Sequence, residues 1–302
     1  MSNNLKFKIQ NLKVTGLLFC FLCLLFNYAA IAQEEIKTSF DKYGPYGAQV
    51  YTDFKAAIKD EQAVYKLNLS YQAVDIKLWP KISKLKNLQA LQLQSIEVNQ
   101  WPDDFSALTN LVYLGSYNNK FTFLPKDFKN LGGLMYLEIY NSKIDSIPQE
   151  IAYLQRLKTF KFSGNSDTLR LPNSLKYLKS INDIIFESVI LDSLPKQLFN
   201  IPGLKTLVMA NCGVYAMPDT LDKATNLEVL VLDFNKLSAV PRSIYMCKKL
   251  FVLSLRKNNI TKIPDTICLL KNLTKLDLRD NPISKDAIEE LKILLPGCQI
   301  IY

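Results

Sequence analysis

Prolines recur along this chain at an almost constant interval. Nine of its 13 prolines lie 22 to 24 residues apart, and each follows a large apolar residue. The nine are Pro80, Pro102, Pro125, Pro148, Pro172, Pro195, Pro218, Pro241 and Pro264. A fixed period of roughly 20 to 50 residues is typical of one supersecondary unit that has been copied and stacked. The spacing therefore predicts an elongated solenoid rather than an ordinary globular domain.

Alignment on the prolines gives the rest of the unit, which opens with apolar residues at positions 1, 4 and 6. The ten units begin at Val64, Leu88, Leu111, Leu134, Leu157, Ile181, Leu204, Leu227, Leu250 and Leu273. Alternation over positions 3 to 6 predicts a short strand that points positions 4 and 6 inward and positions 3 and 5 outward. One such strand is not stable alone. We therefore expect the strands to stack into a parallel sheet over a continuous core.

The complete pattern resembles the leucine-rich repeat, in the 23-residue variety that carries L-P-x-x-I-x-x-L, over residues 64–302. The resemblance implies an α/β solenoid, a horseshoe with short parallel strands on its concave face and short helical or irregular turns on its convex face. It also implies a ladder of buried asparagines at position 9. That position holds Asn119, Asn165, Asn235, Asn258 and Asn281, with Ser142 and Cys212 as substitutes and Ile96 and Val189 as departures. One extra residue near 166–168 predicts a small bulge.

The ends of the chain differ from the repeats. Residues 1–32 have a basic start and an apolar run, which predicts a signal peptide cleaved after Ala32. A retained membrane anchor is the alternative, but the run is shorter than the roughly 20 residues that span a bilayer. We expect residues 33–63 to form a linker and a capping helix, residues 64–283 the repeats, and residues 284–302 a C-terminal cap. In that cap Ser284 begins a helix and residues 299–301 add a strand.

Composition excludes several kinds of function. The sequence has no histidine, which removes Ser-His-Asp and Cys-His catalysis and the usual catalytic zinc sites. We expect no catalytic residue, cofactor or metal. Removal of residues 1–32 leaves 34 basic and 28 acidic residues, a net charge of +6 without a basic block, so nucleic acid is not an expected partner. Cys212, Cys247, Cys268 and Cys298 could pair in an exported protein, although buried free thiols are favoured.

Outward strand positions provide the candidate binding residues. Tyr113, Tyr117, Tyr136 and Tyr140 form a square at positions 3 and 7 of adjacent units, which we call the tyrosine square. Ile185, Val208 and Val231 align at position 5 and define the apolar stripe, with Val229 and Phe234 beside it. Cross-strand tyrosines could simply stabilise a sheet, whereas aligned exposed apolar residues favour contact with a partner. The last two units are charged, and we expect that end to be a solvated face.

These features predict a non-enzymatic, exported, bacterial binding module that recognises a protein or peptide on its concave face. Ten strands about 4.8 Å apart and about 17 Å long give a surface of roughly 750 Å². One partner in a standard interface buries about 800 Å², so the size is suitable. The alternatives are a glycan binder that uses the tyrosine square, and a structural or self-associating surface protein. No transmembrane anchor is expected in the mature chain.

Overall fold

One parallel sheet runs through the molecule. The computed structural model describes residues 40, 42–164, 168–191 and 193–302. Within them, residues 43–302 form a compact unit in which twelve short strands pair in chain order. The strands are β1 (Val50–Tyr51), β2 (Lys66–Ser70), β3 (Ala90–Gln94), β4 (Tyr113–Tyr117), β5 (Tyr136–Tyr140), β6 (Thr159–Ser163), β7 (Asp183–Glu187), β8 (Thr206–Ala210), β9 (Val229–Val231), β10 (Val252–Ser254), β11 (Lys275–Asp277) and β12 (Gln299–Ile301).

The predicted solenoid is confirmed. Strands β2 to β11 are the strands of the ten units, and each pairs in register with the same positions of its neighbours. Ile185 pairs with Val208, for example, and Val208 with Val231. Register of this kind places residues of one unit position in a straight row across the sheet. The rows at positions 3, 5 and 7 therefore define the concave face.

Each strand ends at a residue with a left-handed backbone. Position 8 has a positive φ in all ten units, from Tyr71 (φ 54°) to Asp280 (φ 59°). Nine of these residues are not glycine, and the tenth is Gly164 (φ 70°). This conformation turns the chain out of the sheet, and asparagine and glycine adopt it at the lowest cost. The backbone N–H of position 8 also bonds across to the next unit, as Asn118 N–H does to the Tyr140 carbonyl at 2.9 Å.

The repeated prolines mark the convex turns. Proline is well tolerated at the start of a helical turn, because the backbone N–H that it lacks would have no hydrogen-bond acceptor within the turn. The Pro125 carbonyl, for example, accepts from Phe128 N–H at 3.1 Å. Eight 3₁₀ helices lie on this side within the described residues, whereas none is formed after Pro218. They span Trp79–Lys84, Phe105–Ala107, Lys126–Asn130, Gln149–Tyr153, Asn173–Tyr177, Lys196–Asn200, Arg242–Met246 and Asp265–Leu269.

A continuous apolar core lies between the sheet and the convex turns. Trp79 and Trp101 are buried in it. Their indole N–H groups also donate across to the next unit, to the carbonyls of Gln100 and Phe123, both at 2.9 Å. Each tryptophan therefore fills space and stabilises the stacking of neighbouring units.

Buried asparagines form the predicted ladder. Asn258 shows the pattern: its amide oxygen accepts from Leu237 N–H at 3.0 Å, and its NH₂ group donates to the carbonyls of Leu232 and Leu255, both at 2.9 Å. Asn119, Asn235 and Asn281 make equivalent bonds. The two substitutes make weaker hydrogen bonds than the asparagines do. The Cys212 thiol donates to the Phe186 carbonyl at 3.4 Å, and the Ser142 hydroxyl accepts from Ile144 N–H at 3.4 Å. Asn165 and most of the predicted bulge lie outside the described residues.

The ends of the solenoid carry short helices. Helix α1 (Phe54–Ala57) is capped by Asp53 and is shorter than the sequence pattern over 51–60 indicates, because Tyr51 belongs to β1. Helix α2 (Lys285–Leu294) begins after Ser284, whose hydroxyl accepts from Ala287 N–H at 3.2 Å, and β12 follows it. The predicted signal peptide lies outside the described residues. Among those that are described, no helix is long and apolar enough to cross a membrane.

All four cysteines in the described part of the chain are free thiols. Cys212 and Cys247 are buried, and burial raises the pKa of each to about 12. A thiol with so high a pKa carries almost no thiolate at neutral pH, so these two side chains are inert core residues.

Candidate functional site

The tyrosine square depends on a missing side chain. Gly115 lies at position 5 of β4, between Tyr113 and Tyr117. A Cβ atom at this residue would lie 2.6 Å from the Tyr113 hydroxyl and 2.7 Å from a ring carbon of Tyr117. Because Gly115 has no such atom, both rings lie over the strand, and their hydroxyls meet at 2.7 Å.

Glu138, on the neighbouring strand β5, closes this cluster. One of its carboxylate oxygens accepts from the Tyr113 hydroxyl at 3.1 Å and from the Tyr117 hydroxyl at 2.5 Å, and the other lies 3.1 Å from the Lys161 amine. Burial and the Glu138 charge raise the pKa of the Tyr113, Tyr117 and Tyr140 phenols. The hydroxyl groups are therefore neutral donors at any physiological pH.

This network corrects one expectation for the tyrosine square. Tyr113 was expected to face solvent, but it is 2% exposed, because it folds over Gly115 and bonds to Glu138. Tyr117 and Tyr140 stack with ring centroids 5.2 Å apart and are half-buried. Glu138 and Lys161 are also buried, at 6% and 7% exposure. The square is thus part of a polar cluster that satisfies most of its own hydrogen bonds.

Tyr43 covers the remaining corner of the square. Its ring centroid lies 5.2 Å from that of Tyr136, and a hydrogen bond to Tyr136 together with burial raises the pKa of the Tyr43 phenol. The next residue, Gly44, lies against Lys66 of the first unit, where a Cβ atom would approach the lysine Cε to 2.9 Å. Residues 43–44 therefore pack on the concave side of the first four units. The sequence contains no periodic signal for this contact, since Tyr43 precedes the repeats.

The apolar stripe is more open than the tyrosine square. Ile185 and Val208 are partly exposed, and so is Val229 beside them. Val231 was expected to be outward-facing as well, but it is 6% exposed, since it lies in mid-sheet between the in-register residues Val208 and Ser254. The sheet therefore presents an apolar surface centred on β7 and β8.

Phe234 lies at the edge of this surface in the left-handed conformation of position 8 (φ 58°). The Arg256 guanidinium lies 5.3 Å and the Lys257 amine 5.2 Å from the centroid of its ring. Such contacts are attractive because the face of an aromatic ring is electronegative. Phe234 is thus held by cations of the next unit, and it borders the apolar surface instead of forming part of its centre.

The charged end of the concave face is largely solvent-accessible, as expected, but several of its side chains form an ordered network. Asp277 is fully buried, and the Arg279 guanidinium binds its carboxylate through two nitrogens. Asp233 accepts from the Ser254 hydroxyl at 2.6 Å and from Arg256 N–H at 2.9 Å. Burial outweighs these bonds and raises the pKa of Asp233 to about 6.

Comparison with known proteins identifies the kind of repeat. The family model described as leucine rich repeat matches residues 225–283. No curated protein matches the chain. The matched residues are leucine-rich repeats, and the fold of the described residues is that of a leucine-rich repeat solenoid.

Several solved structures share this fold. An internalin from Listeria monocytogenes is 19% identical, with 81% of this chain and 82% of that chain covered and a TM-score of 0.56. The PEPR1–AtPEP1 complex is 22% identical (74% and 32% covered, TM-score 0.62), and a TDR receptor is 21% identical (82% and 53% covered, TM-score 0.56). This chain thus spans about a third and about a half of the two latter chains. At these identities the likeness shows the fold.

Proposed function

We propose that the protein is a non-enzymatic binding module that holds a protein or peptide on its concave face, over the sixth to ninth units. The observation that carries the proposal is the partly exposed apolar row on β7 and β8, in register across the sheet. Apolar side chains aligned on a solvent-facing sheet favour burial by a partner. The absence of histidine from the whole sequence supports a role without acid–base catalysis.

Two further observations favour this surface over the tyrosine square. Tyr113 is buried and bonded within the chain, and Tyr136 is in contact with Tyr43. One of the similar structures is of PEPR1 with AtPEP1, and another is a receptor, which makes recognition of a ligand a reasonable role for this fold. The apolar stripe is therefore the first surface to test.

A capture experiment tests the proposal. The full chain, Val208→Lys and a matched control, Tyr153→Lys, would serve as baits for surface and secreted material from the source cells. Tyr153 is exposed and ends a 3₁₀ helix on the convex side, so it carries the same substitution away from the sheet. We expect Val208→Lys to lose the partner that the other two baits recover. Equal recovery by all three baits would contradict binding at the stripe.

Export is a separate proposal. A basic start, an apolar run and small residues before position 33 support a signal peptide. Mass spectrometry of the protein from intact cells and from the medium tests it. We expect an exported chain that begins at Gln33, whereas a full-length chain confined to the cytoplasm would contradict the proposal.

A glycan ligand is the second candidate, because the stacked rings of Tyr117 and Tyr140 remain half-buried and could be reached from the concave side. This hypothesis predicts that Tyr140→Ala abolishes retention on immobilised glycans and that Val208→Lys leaves it unchanged. Retention by neither the parent chain nor the variants would remove the glycan hypothesis.

A further inference from the structure

Glu187 lies beside the apolar stripe in a gap between small side chains. It ends strand β7, two residues after Ile185, so their side chains are about 7 Å apart on the same face. Its in-register neighbours are Ser163 on β6 and Ala210 on β8. Neither neighbour is long enough to cover the carboxylate from the concave side. A side chain from a bound molecule can therefore reach Glu187 while its neighbours contact Ile185.

The charge of Glu187 is incompletely balanced. Burial raises the pKa of this carboxyl, and the positive charge of Lys161 opposes the shift. However, the Lys161 amine lies 3.1 Å from Glu138 and forms its ion pair with that carboxylate. Two carboxylates and one ammonium group leave a net charge of −1 at this place. The Glu187 carboxylate has no hydrogen bond or ion pair with any other described residue.

The opposite end of the stripe differs in charge. Arg256 and Arg279 lie at position 7 of the ninth and tenth units, and they are paired with Asp280 and Asp277. Each of these cations is matched by a carboxylate, so the two ion pairs leave no excess negative charge for a ligand cation. A positively charged ligand group is thus favoured at the β7 end over the β10 end.

We propose that the partner is an extended peptide with a lysine or arginine next to two alternating apolar residues. Its cation binds Glu187, and its apolar side chains cover Ile185 and Val208. The inference rests on the proposed function and specifies the ligand of the same surface.

The dimensions agree with this ligand. Alternate side chains of an extended peptide are about 6.8 Å apart, and the three strands β7 to β9 span about 10 Å. Two apolar residues at alternate positions therefore cover the stripe. The stripe runs across the strands, whereas Glu187 lies about 7 Å from Ile185 along β7. The long side chain of a lysine or arginine at the next alternate position therefore extends sideways to reach Glu187. A partner of this kind also replaces water around a carboxylate that is already partly desolvated, which strengthens the ion pair.

A defined peptide library tests the inference. Linear ten-residue peptides would contain Val or Leu at two alternating positions and Arg, Gln or Glu at the next alternate position on either side. A further set would contain Arg with Ser at both apolar positions. Dissociation constants would be measured for the full chain, for Glu187→Gln and for the matched control Glu290→Gln. Glu290 is an exposed acid on α2, outside the strands of the sheet.

The inference predicts that the parent chain and Glu290→Gln bind the Arg peptides about 10-fold more tightly than the Gln peptides, and the Glu peptides least. Glu187→Gln should reduce this 10-fold preference to less than about 2-fold while it still prefers apolar peptides over their Ser counterparts.

Two results would overturn the inference and can be told apart. If apolar peptides bind but the Arg preference is absent, or survives in Glu187→Gln, then the stripe binds peptides and Glu187 does not select them. If no apolar peptide binds better than its Ser counterpart, peptide binding at the stripe itself is contradicted, and a folded partner surface or a second copy of the chain becomes the better explanation.

Discussion

At the scale of single residues, the concave face depends on small side chains at particular places. Gly115 allows two tyrosines to lie over the strand and bond to Glu138, which buries Tyr113 and leaves Tyr117 half-buried. Ser163 and Ala210, the in-register neighbours of Glu187, are small, and Glu187 stays partly exposed beside them. Which polar groups a ligand can reach is thus decided by the neighbours of those groups.

Substitution of Gly115 by alanine should open the tyrosine cluster. The new methyl group would overlap the Tyr113 hydroxyl and the Tyr117 ring, so both rings must move away from Glu138. We expect a loss of about 1 to 3 kcal/mol in the free energy of unfolding, measured by urea denaturation. Gly132→Ala is the control, since no atom lies within 4 Å of the Cβ that it would add. Similar stability of the two variants would contradict the packing described.

Asp233 should give the protein a distinctive pH dependence. Its pKa is raised to about 6 by burial, so between pH 4 and 6 the folded state binds a proton that the unfolded state has released. This group therefore lowers the free energy of unfolding as pH rises through that range. Asp233→Asn keeps the acceptor oxygen and removes the titration.

Urea denaturation at pH 4 and pH 7 measures this effect. At each pH the free energy of unfolding of the parent is subtracted from that of Asp233→Asn. This difference should be more positive at pH 7 than at pH 4, by up to roughly 3 kcal/mol. A stability difference that is equal at both pH values would show that Asp233 titrates normally.

At the scale of elements, each unit is held to the next by polar bonds inside an apolar core. The position-9 asparagines bond to backbone groups of two units, and each tryptophan indole donates to one carbonyl of the next unit. A second set of asparagines, just before position 1, bonds across at the surface, as Asn272 does to the Lys248 carbonyl at 2.7 Å. Hydrogen bonds of these three kinds therefore hold many of the neighbouring units together.

Removal of one buried asparagine should cost more than removal of a surface one. Asn258→Ala leaves Leu237 N–H buried without its partner, and it removes one of the two amide donors to each of the Leu232 and Leu255 carbonyls. We expect a loss of about 1 to 3 kcal/mol in the free energy of unfolding. Asn272→Ala breaks one exposed bond and should cost less than about 1 kcal/mol. Chemical denaturation of the two variants compares them directly. Equal losses of stability would contradict a special contribution of the buried asparagines to the free energy of unfolding.

The sequence predicts elements better than it predicts surfaces, for a physical reason. Strand positions, convex turns and the ladder follow from a period, and the period is written in apolar residues, proline and asparagine. Burial of Tyr113 depends instead on the absence of a side chain at Gly115, and burial of Asp277 on a bond from Arg279. The contact of Tyr43 with Tyr136 joins residues 93 positions apart and has no periodic trace.

At the scale of the whole molecule, stacked units form one sheet whose concave face varies along its length. The first four units are covered in part by residues 43–44 and by the tyrosine cluster, and the last two carry paired charges. Between them lies an open apolar surface with an acidic residue at one edge. In a solenoid each unit contacts mainly its neighbours, so such zones can differ without disturbing the fold.

The central claim is that the partner lies on this middle zone. Photo-crosslinking tests it most directly, with a benzophenone amino acid in place of Thr206, which lies on β8 next to the stripe, or in place of Tyr153 on the convex side. The partner recovered in the capture experiment would be added to each variant and irradiated. We expect crosslinks from position 206 and none from position 153. Crosslinks from position 153 alone would place the partner on the opposite face and contradict the account.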